Sequence, residues 1–188
     1  MRVLIYGSGD FALTVIELVR ACGHEPVGFI DDFSQSSTIL GSLESVTCSH
    51  PPSDYGIAMA IGYNNLAARW TAWQRVRAIG YEAPTLIHPR AYCADSAAIG
   101  SGTMVMASAV VDGRAQIGEA SVLWPCACVN HDTSVGDNCF LSPNSTLCGF
   151  VRLGSNCFVG ANAAIADRSV VPPDTFIKMS SSYTRRFA

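Results

Sequence analysis

Ile87, Cys93, Ile99, Val105, Val111, Ile117, Leu123, Val129, Val135, Leu141, Leu147, Leu153, Val159, Ile165 and Val171 follow one another at every sixth position without a slip. Four residues after each stands a small or β-branched one: Ala91, Ala97, Thr103, Ala109, Ala115, Ser121, Ala127, Thr133, Cys139, Ser145, Val151, Cys157, Ala163, Ser169 and Thr175. A period held in one phase from Ile87 to Phe176 is the hexapeptide β-helix signature. The aliphatic residue fills the core and the small one lets the wall turn.

Working outward, three hexapeptides make one triangular turn. Residues eighteen apart then stack at the spacing of neighbouring strands, about 4.8 Å. One column reads Asp95, Gly113, His131, Gly149, Asp167, and the next Ser96, Arg114, Asp132, Phe150, Arg168. His131 therefore stands between two glycines, and Asp132 is placed to pair with Arg114 one coil below. Met104, Val122, Phe140, Phe158 and Phe176 form an apolar ladder, and Asn138 and Asn156 share a further column, the arrangement of a side-chain amide ladder.

The 86 residues ahead of the repeat are enough for a small domain with its own core. Val3-Leu4-Ile5-Tyr6 reads as a strand that breaks into Gly7-Ser8-Gly9-Asp10-Phe11-Ala12. An amphipathic helix follows, closed by Cys22-Gly23, and Pro26 to Ile30 forms a second strand ending on Asp31-Asp32. This βαβ unit makes the sheet parallel. Its glycine turn matches GxGxxA, with an acidic pair about twenty residues on, the pattern that lets backbone approach a phosphate at a helix N-terminus. Such a turn can also serve geometry alone, and only one mononucleotide half fits before the repeat, which argues against NAD. Ser34 to Tyr55 reads as loops, Ile57 to Ile61 as a third strand ending in Gly62-Tyr63-Asn64-Asn65, and Leu66 to Ile79 as a helix. Leu66, Trp70, Trp73 and Val76 are its expected core stripe.

A net charge of −3 supplies no basic field for nucleic acid, and no apolar run approaches the length of a membrane span. The eight cysteines show no metal or CxxC spacing, which reads as a reduced, cytoplasmic protein. Of four histidines, His24 and His50 are expected to be solvated and His88 sits where repeat and front domain join. His131 has a carboxylate neighbour and open flanks, the setting of a general base. A catalytic zinc site needs three protein ligands, and His131 and His88 do not stack, so no metal is expected.

The combination resembles the bacterial sugar O- and N-acyltransferases, of the sialic acid O-acetyltransferase and nucleotide-amino-sugar N-acetyltransferase type. Its most specific piece is Val129-Asn130-His131-Asp132-Thr133-Ser134-Val135-Gly136-Asp137, followed by Leu147-Cys148-Gly149 and Leu153-Gly154. Tyr6 to Gly9, Phe29 to Asp32, Ala60 to Asn65 and Leu86 to Pro89 support it. The resemblance implies an α/β, Rossmann-like domain over residues 1–86, a left-handed parallel β-helix over 87–176 and a tail over 177–188. It implies an acetyl-CoA-dependent acetyltransferase with a nucleotide-linked sugar as acceptor, working as a cytoplasmic homotrimer. His131 would be the base and Asp132 its orienting acid. Gly7, Ser8, Gly9, Asp10, Phe11, Asp31, Asp32, Gly62, Tyr63 and Asn64 would hold the acceptor, and Phe140, Gly149 and Ala161 would flank acetyl-CoA.

Three departures are visible. Phe140 stands where many members carry a second histidine, Asp10-Phe11 replaces a Gly-His pair, and where relatives continue through another coil this chain runs from Val171-Pro172-Pro173 to Ser180-Ser181-Ser182-Tyr183-Thr184-Arg185-Arg186. They keep a second reading open, a trimeric nucleotide-binding scaffold that has lost acyl transfer.

Overall fold

The computed structural model describes residues 1–34 and 36–184; Arg185 and Arg186 lie outside them. The chain divides into two compact units, residues 1–86 and 87–188.

In the front unit, β1 (Arg2–Tyr6), β2 (Glu25–Ile30) and β3 (Tyr55–Met59) form a parallel sheet in the order β2-β1-β3. The central strand is the most apolar, and Val3, Leu4 and Ile5 are wholly buried. Between β1 and β2 runs α1 (Asp10–Ala21), which buries Ala12, Val15, Leu18 and Val19. Its end is a Schellman arrangement: Gly23 (φ +75°) donates to the Arg20 carbonyl and His24 to that of Val19. Between β2 and β3, the described residues from 36 to 54 carry an isolated bridge, Phe29 to Ile39, and one short 3-10 turn over Ser45–Thr47. The second helix, α2 (Leu66–Ile79), is capped by the Asn65 side chain, which accepts from the Ala68 N–H at 2.9 Å.

The stripe on α2 differs from the expected one. Trp73 and Val76 are buried, but the residues beside them are Arg69 and Ala72, while Trp70 and Leu66 are half-buried. Arg69, wholly buried, donates from Nε to the Ile61 carbonyl at 2.9 Å, so a cation is tolerated inside because it ties α2 to the end of the third strand.

In the second unit, two-residue strands recur every six residues from β4 (Leu86–Ile87) to β20 (Ser182–Tyr183). They stack into three parallel sheets of six, six and five strands, with partners eighteen apart in sequence, such as Val122 with Phe140 and Cys128 with Thr146. The aliphatic series from Val105 to Val171 fills one continuous core, and the small series from Thr103 to Ser169 is buried beside it. The wall also runs past Phe176. Ile177 is buried, β19 (Phe176–Ile177) and β20 pair onto the coil below, and Tyr183 packs against the core. Residues 177–183 therefore belong to the solenoid and not to the expected tail, because Ile177 and Tyr183 keep the six-residue phase.

From Gly102 onward each corner turns through one residue of left-handed backbone. Ser108, Arg114, Ala120, Cys126, Asp132, Asn138, Asn144, Phe150, Asn156, Asn162, Arg168, Asp174 and Ser180 all have φ between 53° and 62°. L residues resist this conformation, Asn and Asp least, and those two occupy six of the thirteen places.

Candidate active site

His131 and Asp132 form the corner between β11 (Cys128–Val129) and β12 (Ser134–Val135). Asp132 is the left-handed residue of that corner (φ 58°), which sends its side chain out beside that of His131. The His131 Nδ1 lies 2.9 Å from Asp132 Oδ2. Asp132, ionised, can only accept, so Nδ1 carries the proton and Nε2 keeps its lone pair. Arg114, one coil below, grips the same carboxylate with two bonds, Nε to Oδ1 at 2.7 Å and Nη2 to Oδ2 at 2.6 Å. The Arg114 guanidinium first, and His131 second, hold the Asp132 carboxyl well below the usual carboxylate range.

The imidazole leans upward over Gly149. A Cβ at Gly149 would stand 2.9 Å from His131 Cε1 and 3.0 Å from Nε2, closer than real side chains come. Gly113, below, has only the Ser96 Oγ at 3.6 Å from such an atom. Of the two flanking glycines, Gly149 is the one that makes room. Phe150 meets the ring edge-on (centroids 5.3 Å apart, 88°), and the Arg168 guanidinium caps the other aromatic face at 4.2 Å. With 47% of its side chain exposed, His131 keeps close to half of its surface open to solvent.

The second candidate region is a cavity of about 690 Å³ in the front unit. It lies beyond the carboxyl ends of β1 and β3, where an open parallel sheet places ligands. Gly7, Ser8, Gly9, Asp10, Phe11, Asp31, Asp32 and Gly62 line it, as expected. Gly7 is required by geometry: its φ is +116°, and a Cβ would sit 2.8 Å from the Ala60 carbonyl oxygen. Gly9 and Gly62 have open space where a Cβ would be, so nothing within the protein demands glycine there. Both cap helical turns with no side-chain capping bond, which leaves bare backbone facing the cavity.

The acidic pair is bonded to the protein's own backbone and side chains. Asp31 accepts four bonds, from the Ser8 N–H (3.1 Å) and hydroxyl (2.6 Å) and from the N–H groups of Phe33 and Ser34 (2.9 Å each). Burial pushes its carboxyl up, but these bonds together outweigh that and hold it low. Asp32 accepts from the Tyr6 hydroxyl (2.6 Å), Arg75 Nη1 (2.7 Å) and the Leu43 N–H (2.9 Å). Arg75 also binds Glu44, and burial with the Asp32 bond raises the Tyr6 phenol well above its ordinary value. The pair therefore shapes the cavity wall, with Asp31 pinning the glycine turn and Asp32 pinning the loop after β2.

Tyr63 and Asn64 do not line the cavity. Arg75, Tyr6, Thr71 and Phe33 do, and were missed: the helix stripe drew attention to the tryptophans, and Arg75 lies on the opposite side of that pattern. On the solenoid, Gly149 joins His131 at one corner, whereas Ala161 sits at the corner between β16 (Phe158–Val159) and β17 (Ala164–Ile165), across the same sheet. Phe140 is apart from both. It lies in β13 (Phe140–Leu141) on another sheet and is 1% exposed, so its ring has no open face beside the imidazole. An outward apolar ladder that includes Met104 and Val122, both also buried, keeps it there. Among the described residues no group of three His, Cys, Asp or Glu is placed to hold a metal, and no helix is long and apolar enough to cross a membrane.

The solenoid and the small parallel sheet ahead of it together define a two-part fold that matches left-handed β-helix acetyltransferases. Comparison with known families agrees at both ends of the chain. Residues 2–73 match the PglD N-terminal domain and residues 132–167 match the bacterial transferase hexapeptide (six repeats). Among solved structures, the acetyltransferase domain of PglB from Neisseria gonorrhoeae superposes with a TM-score of 0.91 at 27% identity, covering 100% of this chain and 93% of that one. The same domain in complex with acetyl coenzyme A gives 0.88 at 27%, covering 97% and 92%. PerB from Caulobacter crescentus, in complex with CoA and GDP-perosamine, gives 0.89 at 28%, covering 100% and 90%. A search of the curated proteins finds no match. The chain is similar, over its whole length, to sugar acyltransferases of the hexapeptide type.

Proposed function

We propose that this protein moves an acetyl group from acetyl-CoA to an amine or hydroxyl of a sugar carried on a nucleotide, with His131 as general base. The observation that carries the reading is the dyad: Nδ1 is engaged by Asp132 at 2.9 Å, and Nε2 points into space that only a glycine at position 149 leaves open. Acyl transfer to an amine or alcohol needs a base within hydrogen-bond reach of the nucleophile and a thioester held still beside it. Nε2 takes the proton as nitrogen or oxygen attacks the thioester carbonyl. The C–S bond then breaks, and the proton leaves with the CoA thiolate. No acyl-enzyme is needed, so the reaction runs as direct attack in a ternary complex.

The nucleotide portion belongs to the front cavity, on the bare backbone of Gly7 to Phe11 and Gly62, with Phe11 and Phe33 as its aromatic edge. CoA and GDP-perosamine in PerB, and acetyl coenzyme A in the PglB domain, support these two ligand classes. The reading includes a homotrimer, whose mass light scattering measures directly.

The deciding experiment is a mass-spectrometric screen of nucleotide-linked amino sugars with acetyl-CoA, repeated with His131→Ala. An acetylated product that forms with the wild type and is lost with the variant supports the reading. Equal turnover by both removes His131 as the base. If titration calorimetry shows no saturable binding of acetyl-CoA, the chain is a scaffold and not a transferase.

A further inference from the structure

We propose that Arg114 is a positioning residue for the base, setting through Asp132 both the direction and the charge balance of His131. This rests on the reading of His131 as general base. The three side chains come from two coils and are joined by three contacts: Arg114 Nε to Asp132 Oδ1 at 2.7 Å, Arg114 Nη2 to Asp132 Oδ2 at 2.6 Å, and Asp132 Oδ2 to His131 Nδ1 at 2.9 Å.

A carboxylate on a single exposed side chain can rotate about its own bond and offer either oxygen. A guanidinium fork removes that freedom, because two parallel bonds fix the plane of the carboxylate. The remaining lone pair on Oδ2 then points at Nδ1, and the ring is held in the tautomer whose Nε2 can accept a proton. Arg114 is itself anchored, since its backbone N–H donates to Ser96 Oγ at 3.1 Å and its left-handed corner (φ 60°) projects the side chain outward like that of Asp132.

The second effect is electrostatic. A lone Asp132 beside the ring would favour the imidazolium, which cannot act as a base. Arg114 offsets that charge from 2.6 Å. The other charged groups around the corner are Asp112, which faces Arg114, and Asp167 with Arg168 two coils above, which pair with each other at 3.3 Å. Arg114 is thus the one cation directly bonded to the carboxylate that the base uses, among the described residues.

The test uses the full chain with Arg114→Met, Arg114→Lys and the double variant Arg114→Met/Asp132→Asn. It follows the pH dependence of kcat and, without any substrate, the His131 ring resonances by NMR. In Arg114→Met the ring titrates at higher pH than in the wild type, the acid limb of the kcat profile moves the same way, and kcat falls about tenfold with KM unchanged. In the double variant the ring titration returns toward lower pH, since the uncompensated carboxylate is gone. Arg114→Lys restores the titration but not kcat, because an ammonium keeps the charge and loses the fork. A ring titration and a kcat profile in Arg114→Met that overlay those of the wild type would overturn the proposal. The NMR arm separates the two readings: if His131→Ala proves fully active, the role of the base falls, while a shifted ring titration still shows Arg114 acting on His131.

Discussion

Replacing Gly149 with alanine adds one methyl at the position that matters most to the base. The ideal Cβ lands 2.9 Å from His131 Cε1 and 3.0 Å from Nε2, with Asp167 Oδ1 at 3.3 Å on its other side. Carbon contacts are comfortable at about 3.5–4.0 Å, so ring and methyl must part by roughly 0.5–1 Å. The methyl has little room to yield toward Asp167. The ring must therefore move, against the Asp132 bond at Nδ1 and the Phe150 edge. A displacement of about 1 Å at a reacting group costs up to about 100-fold in rate, so kcat is expected to fall by about 10- to 100-fold. The fold should hardly notice. Gly149 is not in left-handed backbone, and a Gly-to-Ala change at a compatible site stabilises by about 0.4–1 kcal/mol through the unfolded chain. The matched control is Gly113→Ala, where the nearest atom to the new methyl is Ser96 Oγ at 3.6 Å, an ordinary contact. Both variants would be assayed for acetyl transfer from acetyl-CoA to the acceptor found in the screen, alongside calorimetric unfolding. A large loss in Gly149→Ala with normal turnover in Gly113→Ala is the expected pattern. Equal kcat values in the two would refute the placement of Nε2 over Gly149.

The same contrast applies in the front cavity: Gly7→Ala, at φ +116° and 2.8 Å from the Ala60 oxygen, should destabilise the front unit, whereas Gly9→Ala should leave the melting temperature unchanged and weaken nucleotide binding in calorimetry. Gly9→Ala binding as the wild type does would place the ligand elsewhere. Asp31 and Asp32 titrate lower in the folded chain than the unfolded value of about 3.9, so their contribution is complete above roughly pH 4 and disappears as pH falls further through the folded values. Asp31→Asn, which turns an amide donor toward Ser8, should lower stability by about 1–3 kcal/mol at pH 7 and flatten its acid dependence, read from melting curves between pH 7 and 3; parallel curves would contradict this. On the solenoid, Asn138→Ala loses the 2.8 Å bond to Asn156 Oδ1 and an asparagine suited to left-handed backbone, about 2 kcal/mol together by urea unfolding. An unchanged midpoint would deny the ladder any role.

Most of the solenoid could be read before any coordinates, because each six-residue phase states which side chain points inward. The Arg114–Asp132 pair and the Asn138–Asn156 ladder followed from adding eighteen. The left-handed corners could have been read too, since Asn and Asp recur at Asp132, Asn138, Asn144, Asn156, Asn162 and Asp174, but Arg114, Phe150 and Arg168 at equivalent places hide the rule. The upward lean of His131 was not legible. Gly113 and Gly149 are identical letters, and only backbone direction makes one of them the floor of the imidazole. In the front unit the fingerprint pointed to the residues that line the cavity, but not to the bonds that the acids make within the protein. A pattern of one glycine turn and two carboxylates does not say whether the carboxylates face a ligand or the chain. That is decided by Ser8, Phe33, Ser34, Tyr6 and Arg75, which come from three separate stretches of the sequence.

The corner rule also explains why the dyad sits where it does. A left-handed corner residue such as Asp132 or Phe150 sends its side chain outward next to that of the residue before it, on a backbone fixed by the coils above and below, although at Ala120 and Asn138 the corner side chain is buried. At most corners the pair is inert. At this one it is His131 followed by Asp132, and an aspartate is short enough to reach back to Nδ1 while tolerating φ 58°. A glutamate would reach past the ring, and an asparagine could turn its amide N–H toward Nδ1. The lattice then supplies Arg114 from below, and Gly149 and Phe150 from above, each at an eighteen-residue offset, with Arg168 a further eighteen residues on over the Phe150 ring. Substituting Asp132→Glu should therefore fail as a conservative change: kcat falls while Arg114 still finds a carboxylate and the melting temperature stays near the wild-type value. If Asp132→Glu turned over as the wild type does, the reach of the carboxylate, and with it this account of the corner, would be wrong.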